Sequence, residues 1–134
     1  MSLTKIESEI VDINNSAENV FNYLSDFRNF EKLMPSQVTN WTSTSDECSF
    51  TISGMATIGM KIIEKTPFTK ITITSHGKVP FSFHLFIFIT PKEENTSIGQ
   101  LVFESDLNAM MKMMVVKPLT NFFNLLAHRM KDIK

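Results

Sequence analysis

The sequence predicts an α+β fold: a curved, seven-stranded antiparallel sheet wrapped around one long C-terminal helix, with two short helices between the first and second strands. Three observations carry this expectation. Near the chain's end Leu119, Phe122, Phe123, Leu126, Ala127, Met130 and Ile133 recur at spacings of three and four, with polar residues opposite them. From Gln37 to about Asn108 helical periodicity gives way to alternation by two. Short helical patterns occur only between Asn15 and Pro35. A helix with so wide an apolar face needs a broad apolar partner, and a meander of strands, which twists and coils, supplies one.

The elements follow in order. Met1 to Leu3 are expected to fray. Lys5 to Ile13 reads as one strand through Ile6, Ile10, Val11 and Ile13, although the alternation slips between Ile10 and Val11 as at a bulge or edge. Asn15 with Glu18 has the spacing of a capping box, opening a helix whose buried side is Ala17, Val20, Phe21 and Leu24. Asp26 caps a second short helix with Phe27, Phe30 and Met34 on one side, and Pro35 ends it. Val38 to Ser43 carries Trp41 in a strand; Ser45 and Asp46 turn the chain into Cys48, Phe50 and Ile52, which alternate with polar residues. Gly54 permits a bend before Met55 to Lys65, and Lys70 to Thr74 forms the next strand. Pro80 opens a strand with Phe81, Phe83, Leu85, Ile87 and Ile89 on one face. His84, Phe86 and Phe88 on the other suit a strand covered on both sides or an interface. Ser97 to Leu107 sets Leu101, Phe103 and Leu107 against Gln100, Val102, Glu104 and Asp106. The closing helix is expected over Pro118 to Ile133, because a proline's missing N–H has no intrahelical partner in a first turn, and the Met-rich stretch Asn108 to Val116 leads into it.

At 134 residues the chain is expected to be one domain, residues 1–134. The net charge of −1, spread without blocks, offers no footprint for nucleic acid or an anionic membrane. The longest run without a charge, around Phe81 to Ile89, is broken by Ser82 and His84 and is far shorter than the roughly 20 residues of a membrane helix, so no stable membrane insertion is expected. A lone Cys48 and no signal-like N-terminus point to a reducing, cytoplasmic setting. Phe (12) and Met (9) far outnumber Tyr (1) and Trp (1), so the interior is built from side chains without polar handles, as suits a greasy cavity or a filled core.

Chemistry is sparse. No glycine-rich phosphate loop, nucleophile elbow or metal-ligand spacing occurs, so neither cofactor nor metal is expected. His76 falls in a turn and His128 on the polar side of the closing helix, whereas His84 lies among aromatic neighbours and is a candidate acid or base. Glu104 and Asp106 share a strand face, on the solvent side by default and as proton acceptors if turned inward. Cys48 has no cationic neighbour in sequence to activate it, so inert burial is the expectation. Tyr23, His84 and Glu104 are the catalytic candidates if the protein is an enzyme.

Several local phrases carry a resemblance. Ala17-Glu18-Asn19-Val20-Phe21 is followed by Leu24-Ser25-Asp26-Phe27, and Asp106-Leu107-Asn108 leads through Met110, Met111 and Pro118-Leu119 into Phe122 and Leu126. Over its whole length the chain resembles the SRPBCC superfamily of START/Bet v 1-like helix-grip domains, including small bacterial proteins described as polyketide cyclase/dehydrase-like. The resemblance implies a seven-stranded sheet gripping the C-terminal helix, a cavity between them near the two short helices, and a hydrophobic ligand. With no catalytic motif, binding or carriage of a small hydrophobic molecule (a lipid, isoprenoid, quinone or polyketide-like compound) leads the readings. The expected lining is Met34, Trp41, Phe50, Phe83 and Leu85 with Phe103, Met110, Met114, Phe122 and Leu126. A cyclase- or dehydratase-like enzyme is the alternative. An interaction module or homodimer presenting Phe86 and Phe88 is the third reading.

Overall fold

The computed structural model describes residues 3–133, so the fraying expected of Met1 and Ser2 lies outside the described residues; Leu3 is exposed. Strands β1 (Thr4–Glu7) and β2 (Val11–Ile13) precede helices α1 (Ala17–Leu24) and α2 (Phe27–Phe30) and a 3-10 turn, Glu31–Leu33. Strands β3 (Val38–Ser43), β4 (Glu47–Ile52), β5 (Ala56–Thr66), β6 (Lys70–Ser75), β7 (His84–Glu93) and β8 (Thr96–Ser105) follow, then α3 (Ala109–Met130). All neighbouring strands pair antiparallel in the order β1-β8-β7-β6-β5-β4-β3, with β2 beside β8. The sheet is curved and α3 lies against its inner face: a helix-grip fold.

The first strand is broken in two. Ser8 interrupts it: its hydroxyl accepts from the Leu101 N–H at 2.9 Å while its own N–H donates to the Leu101 carbonyl at 2.8 Å. The ladder then resumes one turn of chain later, and Ile10 is thrown out to solvent. The slip in alternation marked this bulge-like break, and it turns seven expected strands into eight.

The cap of α1 sits one residue beyond the expected one. Ser16 accepts from the Asn19 N–H at 3.1 Å, so Asn15 is freed for another task. The Asn15 carboxamide accepts from the Ser16 N–H and donates to the Ile133 carbonyl, tying the start of α1 to the end of the chain. Asp26 caps α2 as expected and is gripped by its own neighbour: the Arg28 guanidinium holds its carboxyl below the ordinary carboxylate range. Met34, expected on the apolar side of the second helix with Phe27 and Phe30, lies beyond it and is extended, the conformation that a following proline favours.

Two proline expectations are corrected. β7 begins at His84 rather than Pro80; the Phe83 N–H bonds the Ser75 hydroxyl instead of a ladder carbonyl, and Ser105 donates its hydroxyl to the Ser82 carbonyl, so Pro80 to Phe83 forms a strap across the sheet's end. Pro118 lies inside α3, not in its first turn. The helix starts at Ala109, capped by Asn108, whose side chain accepts from the Met111 N–H at 2.8 Å, and the Met-rich stretch is its first half.

The buried residues of both layers form a hydrophobic cluster. From α3 it receives Val115, Leu119, Phe122, Phe123, Leu126, Ala127 and Met130, that is, the second half of the helix and little of the first. Met110, Met113 and Met114 in the first half are exposed. At Gly99 the helix end meets the sheet so closely that a β-carbon would lie 2.7 Å from the Met130 methyl.

Candidate functional site

Two spaces adjoin each other along α3, an inner one against its second half and an outer one against its first half and middle. The inner one, between α3 and strands β4, β5, β7 and β8, is lined wholly by apolar side chains, among them Phe30, Met34, Phe50, Phe83, Phe103 and Phe122. Its cavity volume is only about 30 Å³. Phe and Met have filled the grip: Phe83 and Phe103 stack with ring centroids 5.3 Å apart, and Phe103 leans on Phe123 at 5.4 Å. A drug-sized ligand needs roughly 300–1,000 Å³, so it does not fit there as the side chains stand.

The outer space is a groove of about 530 Å³. One wall is the α3 face carrying Met111, Met114, Val115, Pro118 and Asn121; the other comprises Gln37, the β4–β5 turn from Ile52 to Ala56, and the strap residues Pro80 and Phe81. These walls have local causes. Positive φ at Gly54 lets the turn fold back on itself, and the helical spacing of 111, 114, 115 and 118 keeps those residues on one face. Ile52, Phe81 and Phe122 line both spaces and form the partition between them. The implied cavity near the short helices is thus nearly solid, and the large open volume lies at the edge of the grip.

Seven of the ten expected lining residues surround the inner space: Met34, Phe50, Phe83, Leu85, Phe103, Phe122 and Leu126. Met114 lines the groove instead, 63% exposed. Trp41 lies outside both, stacked on Phe50 at 5.3 Å with its N–H donating to Ser43. Met110 faces solvent at 71% exposure. Phe81 was legible from its alternation with Phe83; Gln37 and Asn121 carried no signal, because only the folded chain brings them to one groove.

The catalytic candidates are scattered. His84 and Glu104 are directly opposed in the β7–β8 ladder, but on the sheet's outer face, because their neighbours Leu85 and Phe103 take the inner one. Glu104 sits 3.9 Å from Lys5, and His84 stacks on Phe86. Tyr23 is half-buried against the core, away from both spaces. Asp106 follows the end of β8 and is exposed. Phe86 and Phe88 also face outward, stacked 6.1 Å apart, with Lys70 over the Phe86 ring. Among the described residues no Asp, Glu, Lys, Arg or His lines the cavity or the groove, and no group of three metal-ligating side chains comes together. No helix there is long and apolar enough to cross a membrane.

Cys48 is buried, and that burial pushes its thiol up to about 12, against a smaller opposing pull from the Met60 backbone. The unfolded thiol ionises near 9.0, so the folded state holds its proton longer. Stability from this group is complete below that pH and is lost as pH rises toward 12. Above pH 9 the wild type should lose about 1.4 kcal/mol per pH unit more than Cys48→Ala in urea unfolding; parallel pH profiles for the two would refute the burial argument.

No protein-family model matches the chain, and no curated protein matches it by sequence. Solved structures do match its fold. The protein XoxI from Bacillus cereus superposes with a TM-score of 0.74 at 14% identity, covering 98% of this chain and 94% of its own. A START superfamily protein from Mycobacterium smegmatis gives 0.70 at 13%, over 98% and 99%. Truncated norcoclaurine synthase from Thalictrum flavum gives 0.72 at 10%, over 98% and 92%.

Proposed function

We propose that this chain, on its START/Bet v 1-like helix-grip fold, binds and carries a small hydrophobic molecule of lipid, isoprenoid, quinone or polyketide-like kind, seated in the groove beside α3. The observation that carries this reading is a mostly apolar groove separated from the apolar core by only three side chains, Ile52, Phe81 and Phe122. The groove's volume lies in the range that small-molecule sites occupy, and its methionines adapt to varied apolar shapes. Norcoclaurine synthase shares the fold at low identity, which keeps an enzymatic reading in view. Acid–base catalysis, however, needs a titratable group within hydrogen-bond reach of the substrate, and neither space is lined by one among the described residues.

Native mass spectrometry of gently purified protein, followed by titration with apolar probes while the Met55, Met111 and Met114 methyl resonances are watched, tests this directly. Binding should shift those three methyls. Phe81 is half-buried and belongs to the strap rather than a strand, so Phe81→Ala should remove part of the partition. That variant is expected to lose about 1–3 kcal/mol of stability and to accept longer apolar chains than the wild type does. Probes that leave the groove methyls unmoved in both proteins would refute the reading.

A further inference from the structure

The position of Pro118 gives the groove a polar feature that its apolar walls conceal. In α3 each N–H donates to the carbonyl four residues earlier, and proline has no N–H. The Met114 carbonyl therefore has no i+4 donor. Helix carbonyls point toward the C-terminus, so this one points toward Pro118, and both residues belong to the groove wall. Thr120 cannot relieve it, because its hydroxyl donates to the Val116 carbonyl at 2.7 Å. Three further polar side chains, the carboxamides of Gln37 and Asn121 and the hydroxyl of Ser53, stand in the same walls, and none bonds another of the described residues through its side chain.

Resting on the binding reading above, we propose that the groove is selective for an uncharged amphiphile bearing a hydroxyl or phenol, whose O–H donates to the Met114 carbonyl while its apolar body lies on Met55, Met111 and Phe81. The chemistry excludes close alternatives. A carboxylate would set a negative oxygen against a carbonyl oxygen that lacks its i+4 donor, with no cation in the lining to compensate for its lost hydration. An ether of the same shape fills the groove but cannot donate, and leaves the carbonyl desolvated without its i+4 donor replaced. A neutral donor satisfies the carbonyl, and its own oxygen can accept from the Gln37 or Asn121 amide.

The test uses 2-naphthol, 2-methoxynaphthalene and 2-naphthoate, which share one apolar body, titrated into the full chain at neutral pH by calorimetry and followed at the groove methyls. The naphthol should bind about fivefold or more tighter than either of the others. Pro118→Ala restores an N–H at position 118 and so occupies the Met114 carbonyl from within the helix; it should raise Tm and reduce the naphthol-to-ether preference to within about twofold. Equal binding of all three to the wild type, or tightest binding of the naphthoate, overturns the selectivity while leaving the groove as a binding site. A preference that survives Pro118→Ala also overturns it, by removing the carbonyl from the explanation. Failure of all three to move the groove methyls overturns both the selectivity and the groove.

Discussion

A chain ending at Val116 is expected to show no cooperative thermal or urea transition. The deletion removes Leu119, Phe122, Phe123, Leu126, Ala127, Met130 and Ile133, each at most 5% exposed in the intact fold. At roughly 1.5–3 kcal/mol for each large side chain, the gross burial they supply is on the order of 10–20 kcal/mol as an upper bound, comparable with the whole stability of a typical domain. The loss is compounded at the N-terminal side, where Asn15 would no longer hold the Ile133 carbonyl and α1 would lose its tie to the chain end. The inner faces of β4, β5, β7 and β8, carrying Phe50, Ile58, Leu85 and Phe103, would be left open to water. Circular dichroism against temperature measures this, and a sharp transition in the truncated chain would mean that the sheet is stable without the helix it grips.

Gly59→Ala is expected to be the most damaging single substitution that adds only a methyl group. Gly59 lies in β5 beside the turn after β6, and a β-carbon there would stand 2.1 Å from the His76 carbonyl oxygen, well inside contact distance. The colliding atom is backbone, and it is held in place: the His76 N–H donates to the Gly59 carbonyl at 2.8 Å, so the two chains cannot separate without losing that bond. A loss of about 2–4 kcal/mol follows from overpacking plus the broken contact. Gly99→Ala provides the comparison. Its β-carbon would meet only the tips of the Met130 and Ile13 side chains, at 2.7 and 2.9 Å, and Met130 can rotate away. That variant should lose about 1 kcal/mol less or better still, and equilibrium urea unfolding of the two side by side decides whether backbone or side-chain crowding sets the penalty.

Most of the architecture was legible because it rests on periodicity and on local chemistry. Leu85, Ile87 and Ile89 alternate through β7 and are all buried; Asp26 caps α2; the three-four spacing from Leu119 onward faces the sheet. Legibility failed where two local signals competed. Asn15 and Ser16 are both good caps, and Asn15 was drawn away by Ile133, a residue at the far end of the chain. Pro118 has the sequence signature of a helix start, but Asn108 and the helix-forming methionines begin the helix nine residues earlier than that, and a proline on an exposed helix face leaves a carbonyl that is not walled in by core.

The strand containing His84 could be assigned a period but not an inside. Aromatic residues occupy both of its faces, and only the curvature of the sheet around α3 decides that Leu85 and Phe103 turn inward and that His84, Phe86, Phe88 and Glu104 turn outward. By itself, then, the sequence determined the kinds of element, their order along the chain and the apolar character of the interior, since these follow from side chains a few positions apart. The tertiary structure alone decided that Phe and Met nearly close the inner cavity, and that Gln37, Phe81, Met114 and Asn121 share one groove. Those facts depend on distances between residues remote along the chain, which packing sets and spacing does not record.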